Sequence, residues 1–146
     1  MKESMRSLIA LTVACTVAAT IFGFGAQVFS WRSVYGGLGK EELIQVTRVF
    51  VYVALGVLLA FRGGWKGVLA AIAMAIVATS AEWALYPFSY AWAALDDPAG
   101  YADKFGGVRR PSYASSGAIY DILGVGISAA LAQGLRTMAH VDPRGP

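Results

Sequence analysis

The stretch GVLAAIAMAIVATSAEWALYPF, residues 67–88, decides the fold. It holds 22 residues with a single charged side chain, Glu82, near its end. At ~1.5 Å of rise per residue, a helix needs about 20 apolar residues to cross ~30 Å of hydrocarbon. Three more stretches meet that length, residues 8–31, 43–61 and 115–135. Little of the 146-residue chain is left over for a soluble domain. The expected fold is all-α, a polytopic membrane four-helix bundle forming one transmembrane domain over residues 1–146.

Composition agrees with that expectation. Hydrophobic residues make up 57% and charged residues 14%, against about 25% charged in soluble domains. Mean hydropathy is +0.56. The net charge of +3 does not point to nucleic acid, because the bases are scattered over helix-flanking segments as in membrane anchors. The lone cysteine, Cys15, excludes an internal disulfide and reads as a packing residue inside the first stretch. A lipoprotein signal at Leu11–Cys15 is disfavoured by the short apolar run ahead of it. The same stretch runs on to Trp31, longer than a signal-peptide core, and is expected to stay as the first helix.

Lysines and arginines divide evenly between the two ends of such a bundle. Lys2, Arg6, Arg62, Lys66, Arg136 and Arg144 fall at one end, and Arg32, Lys40, Arg48, Lys104, Arg109 and Arg110 at the other. The shortest connection, Arg62-Gly63-Gly64-Trp65-Lys66, is basic without any acid, whereas Glu41, Glu42, Asp96, Asp97 and Asp103 offset the bases opposite. Short basic loops stay in the cytoplasm, so both termini are expected there. Phe29, Trp31, Tyr35, Tyr86, Phe88, Tyr90 and Trp92 cluster at the outer ends of helices one and three, as rings of the headgroup layer do. Pro87 is expected to help end the third helix, with Ser89–Tyr113 as one longer outer loop. Within it, residues 90–95 suit a short interfacial helix and Asp97-Pro98-Ala99-Gly100 a turn.

Function is expected to reside in the ionisable groups that fall inside these stretches. Glu82 lies near the end of the third, Asp121 early in the fourth, and Arg48 early in the second with Tyr52 one turn on. Arg109 and Arg110 precede the fourth helix, next to Pro111. An ionised group costs roughly 2.5–3.5 kcal/mol at a helix centre on the insertion scale, so partners are expected. Arginine supplies them in a bidentate fork, and Gln27, Ser30 and Thr79 are placed to add hydrogen bonds. Gly117, Gly124 and Ser128 share helical spacing with Asp121 and suggest that it faces another helix, with Ile119, Ile122, Leu123 and Ile127 toward lipid.

Other chemistry is poorly supported. His140 lies in the polar tail, so no histidine metal site or Ser–His pair falls in the bundle, and no metal or cofactor is expected. Gly36-Gly37-Leu38-Gly39-Lys40 lacks the spacing and the Ser/Thr of a phosphate loop. An enzyme using Glu82 or Asp121 as general base has nothing else in the chain to support it. Two readings remain. In one, Arg48, Tyr52, Glu82, Arg109, Arg110 and Asp121 form an outward-facing cluster that binds an envelope lipid, a lipid-linked glycan or a glycopeptide. In the other, they are structural ion pairs in an accessory subunit of a larger membrane complex.

The order of these residues resembles the VanZ-like family, small bacterial membrane proteins named after a teicoplanin-resistance determinant. There a basic or histidine residue followed by an aromatic opens the second helix, a Glu closes the third, and an Arg then an Asp introduce a Gly-rich fourth. Arg48 with Tyr52, Glu82, Arg109 or Arg110, and Asp121 with Gly124 and Gly126 stand in that order over residues 40–135. The chain departs from the pattern in its long Glu82–Arg109 interval, in Arg48 where histidine is common, and in Val125 where an Asn is usual. The resemblance implies a role at the cell envelope and supplies no catalytic mechanism.

Overall fold

A computed structural model describes residues 2–106 and 114–139. The described elements are all helices, α1 at Lys2–Tyr35, α2 at Glu41–Gly63, α3 at Trp65–Ala93, α4 at Pro98–Phe105 and α5 at Ala114–Ala139. Helices α1, α2, α3 and α5 are long and apolar enough to cross a membrane, which makes the chain a multi-pass membrane protein by length and composition. The central pair is α2 and α3; α1 packs on one side of it and α5 on the other.

Small residues set these packing distances. The buried stripe of α1 is Cys15, Ala19, Gly23 and Ala26, and that of α3 includes Gly67, Ala71, Ala75 and Ala78. Such stripes let backbones approach where lipid offers no hydrophobic drive between helices. The tightest approach lies at the α2–α3 hairpin, where a side chain on Gly67 would strike the Leu59 carbonyl of α2. Gly64 turns the chain there with φ +60°, a conformation that favours glycine.

On α5 the buried stripe is Asp121, Val125, Ala129 and Gln133. The expected stripe is therefore corrected at Gly124, which faces open space, and at Ser128, which is only half-buried, while Gly117 lies outside the residues whose surroundings are described. Both sets keep helical register with Asp121, and bulk decides between them. Val125 is a knob that fills the hollow over Gly56 of α2. Ile119, Leu123 and Ile127 face outward as expected, while Ile122 packs against the core.

Among the described residues the outer connection begins later than expected, because α3 runs on to Ala93. Pro87 does not end α3, which continues six residues beyond it to Ala93. Proline lacks one ladder donor and crowds the preceding turn, but the extension is held by burial of Ser89, Tyr90 and Ala93 and by Ser89 Oγ donating to the Tyr86 carbonyl at 2.8 Å. The interfacial helix expected at residues 90–95 is thus mostly the last turn of α3, and residues 97–100 start a separate helix. Asp97 caps α4 by accepting from the Gly100 N–H at 3.0 Å, with Pro98 in the first turn.

α4 is strapped onto the end of α1. Tyr35 stacks on Tyr101 with ring centroids 4.0 Å apart, and Trp31 meets Tyr90 and Phe105 edge-on at 5.0 Å each. The Lys104 ammonium donates to the carbonyls of Val34 and Tyr35 at 2.9 and 2.8 Å, satisfying two acceptors left open at a helix C-terminus. The aromatic girdle therefore divides. Phe29, Phe88 and Trp92 point outward, whereas Trp31, Tyr35 and Tyr90 belong to an internal cluster.

Two outcomes test this packing. Gly67→Ala is expected to destabilise the bundle by about 1–3 kcal/mol through overpacking; an unchanged thermal unfolding midpoint in detergent would refute the close α2–α3 approach. The Tyr35 hydroxyl, then the Gly100 N–H, donate to Asp97 and hold its carboxyl below the ordinary 3.8. A depressed folded value means that the strap is fully held above that pH and loosens as pH falls through the lower value. Trp31 fluorescence is expected to report this acid transition in the native protein, and Asp97→Ala to abolish it.

Candidate functional site

Arg48 occupies the α2 face toward α3 and α5, seven residues into its helix. Its Nη1 donates to Glu82 Oε2 of α3 at 2.7 Å, and its Nη2 lies 2.6 Å from Asp121 Oδ2 of α5. The two contacts differ in kind. The first meets hydrogen-bond geometry, and the second is a close ion pair. Both carboxylates are almost fully buried, Glu82 at 3% and Asp121 at 4% exposure. One guanidinium thus ties three helices together.

Tyr52, one turn along α2, completes the floor. Fully buried, it donates its hydroxyl to Glu82 Oε1, with the Ala19 carbonyl of α1 at 3.2 Å. Its ring lies 5.8 Å from the Arg48 guanidinium carbon, a cation–π distance. α1 adds Gln27, whose amide donates to the Glu82 carbonyl at 3.3 Å. It also adds an absence, because a side chain on Gly23 would occupy the space that the Glu82 carboxylate fills. Gly23 is the seat of that carboxylate.

Of the residues expected at the site, Arg48, Tyr52, Glu82 and Asp121 are brought together, with Gln27 beside them. Arg109 and Arg110 lie outside the described residues. Thr79 does not contribute as expected, because its hydroxyl bonds back to the Ala75 and Ile76 carbonyls of its own helix.

Above the floor opens a cavity of about 600 Å³ lined by α1, α2, α3 and α5. It reaches the molecular surface, since Glu42, Val49, Trp83 and Tyr120 line it and are exposed. Sequence reasoning passed over Glu41, Glu42 and Gln45 on its α2 wall. Their signal is helical spacing, with Gln45 one turn and Glu41 two turns before Arg48. It also missed Gly23, whose only signal was a glycine in mid-helix with no turn to make. A cluster of His, Cys, Asp and Glu fit for a metal ion is absent among the described residues.

Chemically the site is a buried, charge-paired floor under a cavity that reaches the surface, with aromatic rings on its walls. Among the described residues it presents no nucleophile–base pair. Compared with known families, curated proteins and solved structures, the chain matches none of them.

Removing the Arg48 charge leaves two buried carboxylates without a counter-ion, and breaking a buried pair in this way costs about 3–5 kcal/mol. Arg48→Gln is therefore expected to unfold in detergent well below the native protein. Neutralising all three groups together, as Arg48→Gln with Glu82→Gln and Asp121→Asn, is expected to recover much of that loss. A triple variant less stable than Arg48→Gln alone would show that the ion pairs are not the clamp.

Proposed function

We propose that this chain is a small integral membrane protein that holds the polar head of an envelope amphiphile in the cavity above Arg48, Glu82 and Asp121. The observation that carries this reading is the cavity. A charge cluster serving only to lock helices is best enclosed on all sides, because competing water and headgroups weaken it. Here the cluster is the floor of a space the size of small-molecule sites, which run from about 300 to 1,000 Å³. The lipid-anchored range of ligands, an envelope lipid, a lipid-linked glycan or a glycopeptide, is the one the VanZ-like resemblance also suggests. The charge asymmetry of the loops supports placing the cavity on the outer side with both termini in the cytoplasm.

A second reading, an accessory subunit of a larger membrane complex, has one observation in its favour. Gly25, Gly124 and Gly134 leave bare backbone with open space before it, as surfaces that dock other helices do. Obligate co-purification with another membrane protein would support that role, and a stable detergent-solubilised monomer would count against it.

Filling the cavity without touching its charges tests the first reading. Ser30→Trp adds bulk on the α1 wall, and its membrane abundance is expected to match the native protein. Native mass spectrometry of protein extracted from its own membranes should find an amphiphile bound to the native chain and absent from Ser30→Trp. Equal occupancy in both, or none in either, would remove the cavity as a binding site.

A further inference from the structure

The charge on the cavity walls goes further than the existence of a site. Its described lining residues include four carboxylates, Glu41, Glu42, Glu82 and Asp121, against one guanidinium, Arg48. That cation is already engaged, one Nη on each of two carboxylates. Among the described residues the lining therefore keeps a surplus of negative charge. Gln27 adds a specific acceptor in the lining, a buried amide oxygen that receives no hydrogen bond from the described residues. The walls also carry aromatic rings, among them Tyr120, 74% exposed. Ring faces attract cations. Carboxylates and rings around one cavity favour a cation and repel a bare phosphate.

We propose that the cavity takes the ammonium group of an amphiphile, a primary or quaternary amine head carried on an acyl or alkyl chain. This rests on the reading of the cavity as a headgroup site. Glu41 and Glu42, at the start of α2, draw the cation in, and the Gln27 amide oxygen receives it. The chain remains in the apolar surroundings outside the cavity.

The test uses the full chain in dodecyl maltoside micelles, read by the fluorescence of Trp31 and Trp83, both in the lining. Dodecyltrimethylammonium is expected to give a saturable change at concentrations where dodecyl phosphate gives none. Salt should weaken the response, because the attraction at the mouth is screened. Glu41→Gln with Glu42→Gln, at positions outside the buried clamp, is expected to weaken apparent affinity roughly 5- to 10-fold, the loss of two solvent-screened charge contacts. Tetramethylammonium chloride separates the sources. Competition by it shows that the ammonium alone is recognised, and failure to compete while dodecyltrimethylammonium binds shows that the chain is needed; either supports the proposal. Dodecyl phosphate binding as tightly, with its response lost in Ser30→Trp, overturns the charge assignment and leaves the cavity reading intact. No change of affinity in the Glu41/Glu42 variant overturns it too. No saturable response to either amphiphile overturns both readings.

Discussion

The grip of one arginine fork on carboxylates from two other helices is the constraint on which this bundle turns. In lipid, helices gain little from burying apolar side chains against each other, since the surroundings are equally apolar. What selects one arrangement over another is close backbone approach and the satisfaction of polar groups. Arg48 imposes the second condition on α2, α3 and α5 at once. Tyr52 extends it to α1 through the Ala19 carbonyl. All four spanning helices are thereby tied at one level, close to the end where α1 meets α2 and α4 lies.

The rest of the packing is organised to permit that contact. Gly23 leaves the space into which the Glu82 carboxylate is seated, and Gly56 leaves the hollow into which Val125 locks. Val125 lies one turn after Asp121 on the same buried stripe, so the knob that fixes the rotation of α5 also aims its acid at Arg48. Above this level α4 closes over α1 through stacked rings and the Lys104 cap. The aromatic cluster fixes the upper part of α1, which carries Gln27 and Ser30 on the cavity wall.

Much of this was legible in the sequence because hydrocarbon imposes a coarse code. Length and apolarity alone locate four spans, and an acid or arginine inside a span is conspicuous. Arg48, Tyr52, Glu82 and Asp121 were therefore readable as one cluster. The details that failed depend on partners that periodicity does not see. Pro87 reads as a helix end, yet tertiary burial of Ser89, Tyr90 and Ala93 carries the helix past it. The Gly117–Gly124–Ser128 edge and the Val125 edge of α5 are equivalent in spacing, and only the hollow at Gly56 separates them. Thr79 is well placed for Glu82 by register, but a hydroxyl in a helix readily satisfies itself on the carbonyl four residues back. Gly23 could not be assigned to the site from sequence, because its contribution is an empty volume shaped by another helix.

Whether the charges serve the fold or a ligand is a question of what each reading leaves unexplained. A structural clamp accounts for Arg48, Glu82 and Asp121, since each burial is offset by an opposite charge. It does not account for Glu41 and Glu42, which add negative charge beside the cavity where, among the described residues, the clamp already has an acid in excess. Two carboxylates against one guanidinium would be better balanced by a second base on α2, and the helix carries acids there instead. Their position in the first turn is favourable to the helix dipole, but that effect needs no cavity and no buried acceptor beneath it. The proposed ammonium head joins these otherwise separate features into one electrostatic gradient, running from the acids at the mouth to the buried Gln27 amide oxygen within.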